Sequence, residues 1–258
     1  MGKNSFDEIK HNIDTVKSNI ASACELAGRS QSEVTLLAAT KTVHPDTINF
    51  AIQNGITCIG ENRVQELLAK YDYIDRNNTD IHFIGQLQSN KVKYIVDKVS
   101  MIHSVDSVKL ASEIDKQAYK HGKRMDILVE VNVGNEISKG GVSAEECLSF
   151  VESISRLENI RICGLMTIPP RIDDVYNDDN TLVSERKITT NEQIAKKIYK
   201  NSPFFEKIMK LFLDISAKKI DNIYMRELSM GMSDDYEEAV VNGSTIVRVG
   251  RTLFGSRL

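Results

Sequence analysis

A lysine follows the apolar run Leu36-Leu37-Ala38-Ala39-Thr40-Lys41, which reads as a short buried strand. An amine held at the end of such a strand loses solvation, which disfavours the ammonium form and lowers its pKa. The neutral amine is the form that condenses with a carbonyl compound to an imine. A lysine that simply ends a strand and points to water has the same local sequence. Far along the chain lie two segments rich in small residues: Leu228-Ser229-Met230-Gly231-Met232-Ser233-Asp234 and Arg248-Val249-Gly250-Arg251-Thr252-Leu253-Phe254-Gly255. Small residues let backbone N–H groups approach an anion, Ser229 adds a hydroxyl and Arg251 a cation. If Gly250-Arg251-Thr252 opens a short helix, its dipole points at the same anion. Either segment alone is an ordinary glycine-containing turn. Together they suit a phosphate, and with the lysine they suit an aldehyde that carries phosphate. Pyridoxal 5′-phosphate (PLP) fits that description.

The elements that must position these residues follow from hydrophobic periodicity. Phe6, Ile9, Ile13, Val16, Ile20, Ala23 and Ala27 recur at spacings of three and four, which predicts an opening helix stopped by Gly28. Strands then alternate with helices: 35–41, 57–60, 81–84, 101–105, 126–133, 162–168, 224–230 and 245–249 read as eight strands. Among the helices between them, one starts at Pro45, one carries Val92, Ile95 and Val96, and one runs through Phe204 to Ile215. Eight such units predict an α/β fold, a single (β/α)8 TIM barrel with an extra N-terminal helix, residues 1–258 forming one domain. An open doubly wound sheet shares this local alternation. The lack of GxGxxG after the first strand favours the closed barrel.

In such a barrel, sites lie at the C-terminal ends of the strands, and phosphate commonly binds after strands seven and eight. The residues singled out above fall at those positions. Strand alternation puts Arg248 on one face with Ile246 and Gly250, and Glu227 with Ser229. Glu227 and Arg248 can therefore pair inside the barrel, or on its outer face. Glu61, Asn62, Ser104, Glu130, Asn132, Met166 and Thr167 add polar or soft groups at other strand ends. His82 and His103 lack metal-ligand spacing and read as hydrogen-bonded barrel histidines. The polar stretch from Arg171 to Thr190, rich in aspartate, follows strand six; it reads as a solvated surface loop or a cover over the site.

Composition removes other classes. The chain has 258 residues, 41% hydrophobic and 27% charged, which excludes disorder, collagen and disulfide scaffolds. The net charge of −3 leaves no basic footprint for nucleic acid. No apolar run is long enough to span a bilayer, and the N-terminus lacks a signal-peptide stretch. Cys24, Cys58, Cys147 and Cys163 form no CxxC and read as buried, reduced thiols of a cytoplasmic protein.

Several segments together resemble one family. They are Ala39-Thr40-Lys41-Thr42, Gly60-Glu61-Asn62-Arg63-Val64-Gln65-Glu66, and His82-Phe83-Ile84-Gly85-Gln86-Leu87-Gln88-Ser89-Asn90-Lys91. Ile102-His103-Ser104-Val105-Asp106, Gly164-Leu165-Met166-Thr167-Ile168-Pro169, Leu228-Ser229-Met230-Gly231-Met232-Ser233, and Arg248-Val249-Gly250 leading to Phe254-Gly255-Ser256-Arg257 continue the match. The chain resembles the YggS/PROSC family of pyridoxal phosphate homeostasis proteins. The resemblance implies a barrel like the N-terminal domain of alanine racemase and an internal aldimine between PLP and Lys41. It implies Ser229, Gly250 and Arg251 as phosphate contacts, Arg248 near the ring or phosphate, and Asn62 close to the cofactor. It also implies a cytosolic, often monomeric protein that holds PLP and delivers it, with apo PLP-dependent enzymes as partners. Ile81, Gln86 and Arg251 stand where many relatives have Trp, Pro and Thr; at Arg251 a backbone N–H contact survives that difference.

Three functions remain open on the sequence. One is a PLP holder with no catalytic activity; another is a small PLP-dependent racemase or lyase in which Lys41 is one base; the third is a barrel that binds an ordinary sugar phosphate without an imine. A two-base racemisation needs a second acid or base on the other face of the substrate. The last strand ends near Gly250 with eight residues to follow, so a C-terminal β-domain carrying such a group is not expected.

Overall fold

The computed structural model describes residues 5–136, 140–170 and 202–255; the expectations for residues 171–190, the N-terminal tip and Ser256-Arg257 lie outside them. Strands β1 (Thr35–Ala39), β2 (Cys58–Glu61), β3 (Asp80–Phe83), β4 (Met101–Val105) and β5 (Met125–Asn132) follow in order. β6 (Val142–Ser143), β7 (Ile160–Thr167), β8 (Ile223–Ser229) and β9 (Ile246–Val249) complete the sheet. All pairings are parallel. β1 to β5 pair in sequence, β5 passes to β7, then β8 and β9, and β9 returns to β1, closing an eight-stranded barrel. The two-residue β6 is appended at the upper end of β5, pairing Val131 with Val142. Eight strands were expected and the described residues hold nine, because two residues are too few to show a period.

Alternation sorts the side chains. Leu37 and Ala39 of β1 join Cys58, Met101, Leu128, Cys163, Met166 and Ile246 in a cluster inside the barrel. Ala38, Ile59, Ile102 and Val129 face outward into the larger core beneath the helices. Gly164 interrupts the alternation. Its φ is 154°, a Cβ there would stand 1.7 Å from Glu227 O, and the β7 register shifts beside it. The shift explains how Cys163 and Met166 both reach the interior.

The helices are α1 (Phe6–Leu26), α2 (Pro45–Gln53), α3 (Val64–Lys70), α4 (Val108–Lys120), α5 (Cys147–Ile154), α6 (Ser202–Ala217), α7 (Tyr236–Val241) and α8 (Arg251–Phe254). α1 begins at a capping box of Ser5 and Glu8 and buries Ile9, Ile13, Val16 and Ile20. It holds the last elements: Asn12 Nδ2 donates to Leu253 O (3.1 Å), Asn19 Nδ2 to Tyr236 Oη (2.8 Å), and Arg29 Nη1, just past the helix, to Val240 O (2.8 Å) and Ser244 O (2.9 Å). After β3 the expected helix is a 3-10 helix, Ser89–Tyr94. The tighter winding aligns residues three apart and directs Val92 and Ile95 into the core. The four cysteines are buried and unbridged, as expected.

Candidate functional site

Lys41, Asn62, Arg248 and Gly250 all carry inward parity at the upper, C-terminal ends of their strands. Lys41 continues the face of Leu37 and Ala39, Asn62 that of Cys58 and Gly60, and Gly250 that of Ile246 and Arg248. β9 runs beside β1, with Arg248 opposite Leu37. Gly250 lies so close that a Cβ would meet Ala39 O at 3.1 Å. The two chain ends that carry the lysine and the small-residue turn are therefore neighbours.

The backbone around Lys41 is fixed from both sides. Thr40 Oγ1 donates to Glu61 Oε1 at 2.6 Å, and Lys70 Nζ donates to the same oxygen at 2.9 Å and to Thr40 O at 2.8 Å. Thr42 adopts φ 63°, and its N–H donates to Glu66 Oε2 at 3.0 Å. Lys41 itself is half-buried and engaged in an interaction of its own. The buried Glu61–Lys70 pair was not anticipated. Its signal was present: Lys70 falls on the stripe of Val64 and Leu67, where a charge needs a partner.

Asn62 Oδ1 is buried and finds no partner among the described residues. A buried oxygen without a donor is costly, and at a concave mouth it suits a ligand that brings one. On the other side of Lys41, Ser233 Oγ accepts the N–H groups of Gly250 (3.4 Å) and Thr252 (3.3 Å). These amides open α8, which starts at Arg251 with Gly250 as its cap, so the short helix considered after Gly250 is present. Arg251 is exposed and its guanidinium pairs with Asp234. The Arg251 side chain thus links the two turns, and its backbone is what faces α8's start.

Arg248 is 5% exposed. Nη1 donates to Ser229 Oγ at 2.6 Å and Nη2 to Thr167 O at 2.9 Å. Burial pulls its pKa down to about 10, opposed by the charges of Asp235 and Glu130, and it stays protonated at neutral pH. Ser229 is fully buried, and its hydroxyl also meets His103 Nδ1 at 3.1 Å. His103 Nε2 meets His82 Nδ1 at 2.9 Å, so the two histidines are hydrogen-bonded barrel residues, as read. The described residues hold no cluster suited to a metal ion. Glu130 is pushed up to about 7 by burial and then by the Asp106 charge, with Arg248 opposing.

The inward pairing of Glu227 with Arg248 does not form. Ser229 lies opposite Ile246, so Glu227 sits below that level and Arg248 above it. Glu227 Oε2 instead accepts from Thr245 Oγ1 at 2.8 Å. It lines a cavity of about 370 Å³ at the lower mouth, with Cys58, Asp80, His82 and Asp126.

The geometry defines a (β/α)8 barrel in which a half-buried lysine after the first strand lies beside small-residue turns after the last two. A family model described as "Alanine racemase, N-terminal domain" matches residues 5–258. A pyridoxal phosphate homeostasis protein of Aquifex aeolicus is 40% identical over 245 residues, 95% of this chain and 96% of that one. A protein of unknown function from Bifidobacterium adolescentis has a structure similar at TM-score 0.82 and 34% identity, covering 96% of this chain and 95% of that one. PipY of Synechococcus elongatus, solved with PLP bound, is similar at TM-score 0.64 and 29% identity, covering 92% and 100%. The chain belongs to the alanine racemase N-terminal domain family and, within it, to the YggS/PROSC family of pyridoxal phosphate homeostasis proteins. Among the described residues, no helix is long and apolar enough to cross a membrane.

Proposed function

We propose that this protein binds pyridoxal 5′-phosphate at the upper mouth of the barrel, covalently through Lys41 Nζ, and releases it to other proteins. The observation that carries the reading is the convergence of Lys41, the partnerless Asn62 oxygen, buried Arg248 and the Gly250 turn on one mouth. The names of the curated relatives and the PLP-bound PipY support it. When bound, PLP supplies an aldehyde that condenses with an amine and a phosphate dianion that needs donors. Lys41 offers the amine. Gly250, with no side chain, lets the anion approach, the Arg251 amide and the charge of Arg248 face it, Ser229 holds Arg248, and Asn62 accepts a donor from the ligand. The Glu61–Lys70 pair keeps the lysine's strand end in place. In this reading residues 1–258 are one domain acting as a cytoplasmic monomer, and apo PLP-dependent enzymes receive the cofactor.

An absorbance spectrum of the purified protein with PLP tests this. A visible band and a borohydride-fixed adduct on Lys41 by mass spectrometry are expected. Lys41→Ala should remove both, and an unchanged band in that variant overturns the assignment. Incubation with single L-amino acids should give no D-enantiomer; robust turnover favours a racemase.

A further inference from the structure

The hydrogen bonds below the cup have a direction, and counting hydrogens fixes it. Arg248 can only donate, so Ser229 Oγ accepts at the 2.6 Å contact. Ser229 is fully buried, and among the described residues its hydroxyl's other partner is His103 Nδ1 at 3.1 Å. A buried hydroxyl hydrogen without an acceptor is costly, so Ser229 donates to Nδ1. A neutral imidazole carries one hydrogen, which places that of His103 on Nε2. Nε2 faces His82 Nδ1 at 2.9 Å, so Nδ1 accepts there and His82 carries its hydrogen on Nε2. His82 lines the lower cavity, where the carboxylates of Asp80 and Asp126 act on it.

Both rings are neutral. Burial is the main cause in each, bringing His82 down to about 4 and His103 well below its usual range, with the charge of Arg248 adding to the latter. Charge agrees with direction: the guanidinium stands at the donating end, and the carboxylates of Asp80 and Asp126 act on His82 at the other.

We propose that His103 and His82 are positioning residues for Arg248, holding Ser229 as its acceptor through a one-way hydrogen-bond chain that runs from the cofactor cup to the acidic lower cavity. Donation from Ser229 to His103 enriches the serine oxygen as an acceptor for the guanidinium, since linked hydrogen bonds polarise one another. Turning either ring to the other tautomer would set two donors or two acceptors against each other along the chain. The importance of Arg248 for ligand rests on the function proposed above; the direction of the chain does not.

Long-range proton–nitrogen correlation spectra of the ligand-free protein, labelled with nitrogen-15 histidine, read the tautomers directly. His11, His44 and His121 are exposed, which leaves His82 and His103 as the buried pair. Both are expected neutral at pH 7 with the hydrogen on Nε2; a hydrogen on Nδ1 of either overturns the proposal. A second arm uses His103→Gln, which keeps an acceptor for Ser229 and a donor for His82, and His103→Leu, which keeps neither. The leucine variant is expected to bind PLP about tenfold more weakly, with glutamine recovering most of the loss. Equal loss in both, or none in leucine, overturns the positioning role. If His103→Leu does not fold, His82→Leu replaces it in the same comparison. If the wild-type protein takes up no PLP, the proposed function fails while the ligand-free spectra still decide the chain's direction.

Discussion

The upper and lower mouths of the barrel are lined by the same strands and gather different chemical groups. β2 contributes Cys58 below and leads to Asn62 above; β8 contributes Glu227 below and Ser229 above; β5 contributes Asp126 below and Glu130 above. The lower mouth gathers Asp80, Asp126 and Glu227 around open volume. The upper mouth gathers Lys41 and Arg248 with the amides that open α8. The barrel backbone does not distinguish one strand residue from its neighbour two positions on. The difference arises beyond the strand ends: turns and helix starts crowd the upper end, and only there can backbone N–H groups add to the cations. The upper mouth thus sets cations and amides among its carboxylates, while the lower one sets carboxylates around open volume.

That contrast can be attacked at its strongest point first. Lys70→Met leaves Glu61 buried without its cation beneath the upper mouth. Urea unfolding is expected to show a loss of about 3 kcal/mol, and a loss within experimental error would mean that the pair does not anchor Lys41. Arg248→Met removes the buried cation; titration with PLP should show affinity falling roughly 30-fold. The two ends also respond oppositely to pH. His82 has a folded pKa depressed to about 4, so its contribution is full above about 6.5 and is lost as pH falls through 4. Glu130 has one raised to about 7, so stability is full below about 4.5 and is lost as pH rises through 7. Ligand-free Glu130→Gln should therefore be more stable than wild type at pH 8, by about 2 kcal/mol, with the gap closing at pH 5. Smallest of all is Glu227→Gln at the lower mouth, expected to leave PLP affinity within about twofold. A larger change would break the separation of the two ends.

Much of this was legible in the sequence. The strand-end positions of Lys41, Asn62 and Gly250 and their shared inward parity follow from alternation alone, because a two-residue period survives any barrel. The short helix opening after Gly250 was legible for the same local reason. Register was not. Whether Ile246 or Arg248 lies level with Ser229 depends on the shear between β8 and β9, which local pattern does not encode. Ser233 as the acceptor of the α8 amides was invisible for a similar reason, since it joins turns from separate strands. The same holds for the hydroxyl of Ser229, which faces His103 and Arg248 within the wall.

The clasp between α1 and the final elements gives the site a history as well as a shape. Asn12 and Arg29 are among the first described residues to be synthesised, and Leu253 and Ser244 among the last. The lysine leaves a ribosome long before the turns that face it, and at about 5–20 residues per second most of the chain must follow before they meet. A half-made chain has the amine but not the turns that lie beside it. Retention of the cofactor would therefore report that synthesis has reached the final strand and that the barrel has closed.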